Sequence, residues 1–229
     1  MRTEQVIGNR MCFLYGDDQA ADVLIQAVDA HDLEAMEQEI EHIRKLTSNQ
    51  PFLLAAFQIT DWNRELSPWE APAVFGQEGF GAGAKETLAY IVDGLLPDIQ
   101  KNLPSQGDRR FYLGGYSLAG LFALWAAYQT DLFRGIAAVS PSVWFPQWIR
   151  FIEEHAIKVP RVYLSLGDRE EKTRNKVMAE VGNNIRWQYE ALRREKAVTA
   201  CTMEWNPGNH FVDSGIRTAK GFAWLLQQT

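Results

Sequence analysis

The chain has 229 residues, 46% hydrophobic and 23% charged, which suits one globular domain over residues 1–229 with a sizeable core. Its formal net charge of −6 argues against nucleic acid or an anionic membrane surface as a partner. No run approaches the roughly 18 apolar residues of a membrane span and no secretory leader is recognisable, so the expected location is cytoplasmic.

The first segment with strand character is Met11 to Tyr15, which holds Cys12. Cys12 and Cys201 form no metal spacing and no disulfide framework, and are expected as two small buried hydrophobes. Leu33, Met36, Ile40 and Ile43 recur at helical spacing. Phe52 to Ile59 is nearly all apolar, as a strand covered on both faces must be. A long connection follows, from Thr60 to about Gly83, with Trp62 and Trp69 inside it. Connections of this length inside a domain are usually functional.

Ala84 to Asn102 has helical periodicity, with Pro97 expected to kink or interrupt it. Gly79 to Thr87 resembles a phosphate-binding loop only superficially. Lys85 follows Ala and precedes Glu86, so a hinge into a helix is the better reading. Phe111 to Leu113, Ile136 to Val139, Val162 to Leu166 and Thr199 to Trp205 read as strands. Helical patterns follow Ser117, cover Asn183 to Glu195 and close the chain from Ser214 to Leu226. This alternation predicts an α/β fold with a mainly parallel sheet and helices on both faces.

The strongest chemical signal is Gly114-Gly115-Tyr116-Ser117-Leu118-Ala119-Gly120, between a short strand and an amphipathic helix. A tight strand-to-helix turn presents a serine nucleophile at a helix N-terminus, where free N–H groups favour a developing oxyanion. The strict pattern asks for Gly two residues after the serine; Ala119 stands there, small but not Gly. Read alone, Ser117 is equally a helix N-cap. The order of residues along the chain adds weight, because this fold delivers Ser, then an acid, then His. His31, His42 and His155 fall in polar surroundings, whereas His210 sits in a loop between the last strand and the last helix. Asp168, Glu170 and Glu171 crowd the end of the Val162 to Leu166 strand. Glu170 is favoured, three residues past Gly167, with Asp168 the alternative.

Around these residues the chain resembles the α/β-hydrolase group named Putative esterase, which contains enterochelin esterase and esterase D. The resemblance runs from about Phe52 to the end. It is carried by Gly-Tyr-Ser-Leu-Ala-Gly at Ser117, by Ser140-Pro141-Ser142-Val143-Trp144, by Gly167-Asp168-Arg169-Glu170 and by Gly208-Asn209-His210. It implies the α/β-hydrolase fold and a serine esterase working through an acyl-enzyme, with Ser117, His210 and Glu170 as the triad. It implies oxyanion donors at the backbone of Leu118 and near Thr60, Asp61 or Trp62. Trp144, Trp148 and Tyr116 become candidates for contact with a small-molecule ester, or for plain core packing. No His/Cys/Asp cluster has ligand spacing, so no metal or other cofactor is expected. Acyl transfer to another alcohol, or a non-catalytic binding role on the same fold, are the competing readings. The motifs give neither the natural substrate nor the oligomeric state.

Overall fold

The computed structural model describes residues 2–104 and 107–228. It begins with an antiparallel hairpin, β1 (Arg2–Ile7) and β2 (Arg10–Gly16). Then come β3 (Asp22–Val28), α1 (Ala30–Leu46), β4 (Leu53–Gln58) and a one-turn helix α2 (Trp62–Glu65). A continuous helical stretch is built of α3 (Ala84–Ala89), a π-helical turn Tyr90–Leu95 and α4 (Leu96–Asn102). The second half alternates β5 (Arg110–Tyr116), α5 (Leu118–Gln129), β6 (Phe133–Val139), α6 (Trp148–Glu154) and β7 (Arg161–Gly167). A 3₁₀ turn (Glu170–Lys172), α7 (Lys176–Ala179), α8 (Val181–Leu192), β8 (Ala200–Asn206) and α9 (Ser214–Gln227) complete it.

All eight strands join one sheet in the order β1-β2-β4-β3-β5-β6-β7-β8, parallel from β4 to β8. Side chains of successive strand residues leave by opposite faces. On β5, Leu113 therefore packs with the α3–α5 and α8 side, and Tyr112 with the side covered by α1 and α9. Helix α5, expected to be amphipathic, is instead buried almost all round, and its sequence is apolar on every face. Helix α1 is amphipathic instead. Met36, Ile40 and Ile43 face the core, and an Asp29–Asp32 capping box satisfies its first N–H groups.

The strand β3 has no counterpart in the sequence pattern, because Asp22 and Gln26 interrupt its apolar run. Both are buried, and each has a partner. Arg110 grips Asp22 with two hydrogen bonds of 2.6 and 2.7 Å, and Gln26 donates to Glu39 of α1. The interruption expected at Pro97 takes the form of the widened π turn Tyr90–Leu95, which ends just before it, with Pro97 the second residue of α4. Cys12 is buried as expected, whereas Cys201 is only half-buried, and neither is in a disulfide.

Glu39 is fully buried, and burial pushes its pKa up to about 8, against the lowering effect of the Gln26 hydrogen bond. The folded chain thus holds a proton that the unfolded chain releases near the ordinary value of about 4.3. The associated stability is complete below that value and is lost as pH rises toward 8. Glu39→Gln keeps the group neutral. Melting curves from about pH 5 to about pH 8 should show the wild type losing several degrees relative to this variant, at ~2–4 °C per kcal/mol. Parallel curves would refute the assignment.

Candidate active site

The C-terminal ends of β5, β6, β7 and β8 lie side by side, and Ser117, Ser140, Glu170 and His210, which follow them, form one chain of contacts. After β5 the backbone turns sharply at Ser117, with φ 58° and ψ −120°, and enters α5. The left-handed φ is costly for a side-chain-bearing residue, on the order of 1–3 kcal/mol. Three backbone bonds hold it: Ser117 N–H donates to Val139 O, and Leu121 N–H and Ser142 N–H both donate to Ser117 O. Gly115 and Ala119 face each other across the turn, and a Cβ on residue 115 would lie 2.6 Å from that of Ala119. Glycine is therefore obligatory at 115, and the departure at 119 is accommodated by it.

Ser117 Oγ lies 3.0 Å from His210 Nε2, and His210 Nδ1 lies 2.8 Å from Glu170 Oε2. His210 arrives on the loop between β8 and α9. Glu170 arrives on the 3₁₀ turn after β7 and is buried. Its other oxygen, Oε1, accepts from Ser140 Oγ at 2.7 Å, Gly167 N–H at 2.8 Å and Arg217 Nη1 at 3.2 Å. Burial alone would raise the Glu170 pKa. The hydrogen bond and charge of His210, with the bonds from Ser140 and Gly167, outweigh that and hold it below the ordinary carboxylate range.

The two neighbouring acids are engaged elsewhere. Asp168 is exposed and accepts Gly208 N–H at 2.8 Å, tying β7 to the histidine loop. Glu171 takes two bonds from Arg186. Tyr116, expected against substrate, does not line the cavity beside His210. It packs its ring 5.1 Å from the His210 ring and donates its hydroxyl to His210 O. Trp144 does line that cavity, whereas Trp148 is a core residue with its indole N–H on Gln188. Leu118 opens α5, so its N–H has no partner within the helix.

Trp62 requires a correction of place. It follows β4, and β3 stands between β4 and β5. The segment next to Ser117 on that side is the turn from β3 into α1, at Asp29 and Ala30. The Thr60 and Asp61 N–H groups are both occupied by Glu65 Oε1.

Arg217 had no signal in the sequence. An arginine on an amphipathic helix ordinarily faces water, yet this one is 2% exposed. Its guanidinium reaches Glu170, the Tyr116 hydroxyl at 3.2 Å and Pro207 O at 2.8 Å. It thereby braces the acid, the histidine support and the loop entry together. Ser140, whose φ is also positive at 43°, was legible only as part of the wall motif.

Two outcomes follow from this geometry. Ser117→Gly should melt higher than Ser117→Ala, by the equivalent of ~1 kcal/mol or more, because glycine tolerates the left-handed turn. Equal melting temperatures would mean the turn stores no strain. Arg217→Met should destabilise by ~3 kcal/mol or more by leaving a buried carboxylate short of its cation. It should also move the acidic limb of the pH–rate profile upward, and Arg217→Lys should restore part of that shift. An unmoved limb would reduce Arg217 to packing alone.

The family model described as Putative esterase matches residues 26–211. No curated protein matches the chain. Among solved structures, the siderophore hydrolase EstA from Aspergillus nidulans superposes with a TM-score of 0.79 at 17% identity, covering 100% of this chain and 94% of that one. An IroE-like serine hydrolase from Shewanella oneidensis gives 0.78 at 16% identity, over 99% and 80%. The enterobactin esterase FES from Shigella flexneri gives 0.64 at 16% identity, over 100% and 60%. These likenesses establish the α/β-hydrolase architecture. With the family model spanning most of its length, the chain belongs to the Putative esterase family of carboxylic-ester hydrolases.

Proposed function

We propose that the protein hydrolyses a small-molecule carboxylic ester through an acyl-enzyme formed on Ser117. The observation that carries this reading is the relay of short contacts, 3.0 Å from Ser117 Oγ to His210 Nε2 and 2.8 Å from His210 Nδ1 to Glu170 Oε2. His210 takes the serine proton as Ser117 Oγ attacks the ester carbonyl, then gives it to the leaving alcohol oxygen. Water attacks the acyl-enzyme by the reverse of this proton path. Glu170 fixes the imidazole tautomer and stabilises the imidazolium without itself taking the proton.

The carbonyl oxygen gains charge in both steps and needs two N–H donors. One is Leu118 N–H. For the other we favour the turn from β3 into α1 over Trp62. The capping box occupies the N–H groups of Asp29 and Asp32, and Asp29 O takes that of Leu33, which leaves Ala30 and His31 with donors to offer. A cytoplasmic setting fits two cysteines that stay unpaired.

A fluorophosphonate probe should label the wild type and not Ser117→Ala. Ser117→Ala should lose ~10³-fold or more in ester turnover while remaining folded. Glu170→Gln should lose ~10²-fold or more, and Asp168→Asn and Glu171→Gln less than ~10-fold. Robust turnover by Ser117→Ala would end this mechanism. A larger loss at Asp168 than at Glu170 would reassign the acid.

A further inference from the structure

The cavity beside His210 has a volume of about 420 Å³, within the range of small-molecule sites. It lies under the ends of β6, β7 and β8, on the far side of Ser117 from β3 and β4. The oxyanion donors proposed above are on the β3 side and at Leu118. A carbonyl seated there directs its ester oxygen toward His210, which must protonate it. The part of the substrate beside the imidazole is therefore the alcohol.

Two features of the lining define what that alcohol looks like. One is apolar. Trp144, Met178 and Val181 line the cavity, as does Phe211, with 89% of its surface exposed. Its ring is perpendicular to the His210 ring at 5.5 Å, and its backbone N–H is fixed on Asn209 Oδ1. An aromatic ring held in the open beside a catalytic base is a contact surface for a planar or branched apolar body.

The other feature is charge. Arg169 and Lys172 both line the cavity. Lys172 N–H donates to Arg169 O, so the two residues bracket one 3₁₀ turn. Both are exposed and line the one cavity, while Glu170, between them in sequence, is buried against His210. Among the described residues neither cation has an ion-pair partner in the chain. Glu170, the one carboxylate of the lining, is already engaged by Arg217 and His210. Glu171 makes its ion pair with Arg186, with Lys172 as a more distant charge, and Asp168 accepts Gly208 N–H. A protein of net charge −6 thus keeps two neighbouring cations, neither in an ion pair among the described residues, on the lining of the cavity beside His210.

The geometry points to an ester whose alcohol part pairs a ring-sized apolar body with an anionic group, the body against Trp144 and Phe211 and the anion on Arg169 and Lys172. This rests on the hydrolase reading above. A matched pair of phenyl acetates tests it: 3-(4-acetoxyphenyl)propanoate and its neutral propanamide. The two share the leaving phenol and differ at the remote group alone.

The wild type should favour the carboxylate by ~10-fold or more in kcat/KM, and added salt should shrink the preference. Arg169→Gln/Lys172→Gln should bring the ratio to within ~2-fold of unity, and Arg169→Lys should retain most of it. The ratio is taken within one protein, so a poorly folded variant lowers both rates and leaves it interpretable. A wild-type ratio near unity, or a preference that survives the double substitution, overturns the proposal and leaves the hydrolase reading intact. Hydrolysis of neither ester by a protein whose Ser117 still reacts with a fluorophosphonate does the same. Failure of the fluorophosphonate reaction removes the hydrolase reading and this proposal together.

Discussion

Glu170 has to stay ionised in a place where burial opposes ionisation, and much of the site's architecture answers that demand. A buried carboxylate is tolerated when its lone pairs meet donors, and bonds to a charged group contribute roughly 1.5–3 kcal/mol each. Glu170 meets four donors: Ser140, Gly167 and Arg217 on one oxygen and His210 on the other. They come from the end of β6, the end of β7, helix α9 and the loop before α9. Satisfying one acid therefore fixes the relative positions of four segments. Gly167 belongs to the same requirement, since a Cβ there would stand 2.9 Å from the carboxylate and 2.5 Å from Gly208 O. The division between the two oxygens matters chemically. Oε1 carries the structural bonds and leaves Oε2 to His210, so the imidazole does not compete with the scaffold for its partner.

The long connection after β4 obeys the same logic without a catalytic group. Glu65, also buried, accepts Thr60 N–H, Thr60 Oγ1 and Asp61 N–H on one oxygen and meets Arg10 with the other. Further along, Trp69 donates to Pro146 O, Ala71 bridges Phe80, and Asn175 donates to Val74 O. Phe80 and Phe75 then pack edge-on or tilted against Trp144. A segment that reads as an unstructured functional loop is in fact pinned at several points, and it supports the Trp144 wall of the cavity from outside. Gly79, Gly81 and Gly83 in it serve close approach. Gly83 N–H donates to Arg64 O at 2.8 Å just before α3, as a hinge into a helix and not as a phosphate cradle.

What the sequence discloses here depends on how local each cause is. Ser117, Glu170 and His210 were legible because each sits at a strand end whose turn residues are adjacent in the chain, and because their order is set by the fold. Of the three strands that precede β4, only β2 was read from the sequence, and β1 and β3 were harder. Strand β3 carries Asp22 and Gln26, whose burial depends on Arg110 and Glu39, residues far along the chain or on another element. Without β3 in the count, the segment flanking Ser117 is assigned one strand too far out, which is how Trp62 took the place of the turn at Ala30. Arg217 was hidden for a related reason. Its helix has the ordinary amphipathic pattern, and the cation is drawn inside by a carboxylate 47 residues away. Tyr116 and Trp148 show the same limit from the other direction. Their aromatic character was plain, but whether a ring meets substrate, a histidine or the core is decided by neighbours that share no sequence window with it.

The two serines with left-handed backbone at the site, Ser117 and Ser140, follow adjacent parallel strands, β5 and β6. Each costs on the order of 1–3 kcal/mol in backbone strain. Each is held by a bond from its own N–H to the next strand over, Ser117 to Val139 O at 3.0 Å and Ser140 to Ser165 O at 2.8 Å. Each presents its hydroxyl to a member of the relay, Ser117 to His210 and Ser140 to Glu170. A serine with positive φ thus stands twice, one strand apart, once with its hydroxyl on His210 and once with it on Glu170. The segment just past Ser140 closes the arrangement, because Ser142 N–H donates to Ser117 O. Both are secured by the completed sheet and by the burial of α5 against it, so the reactive geometry belongs to the assembled strand ends and to no single loop.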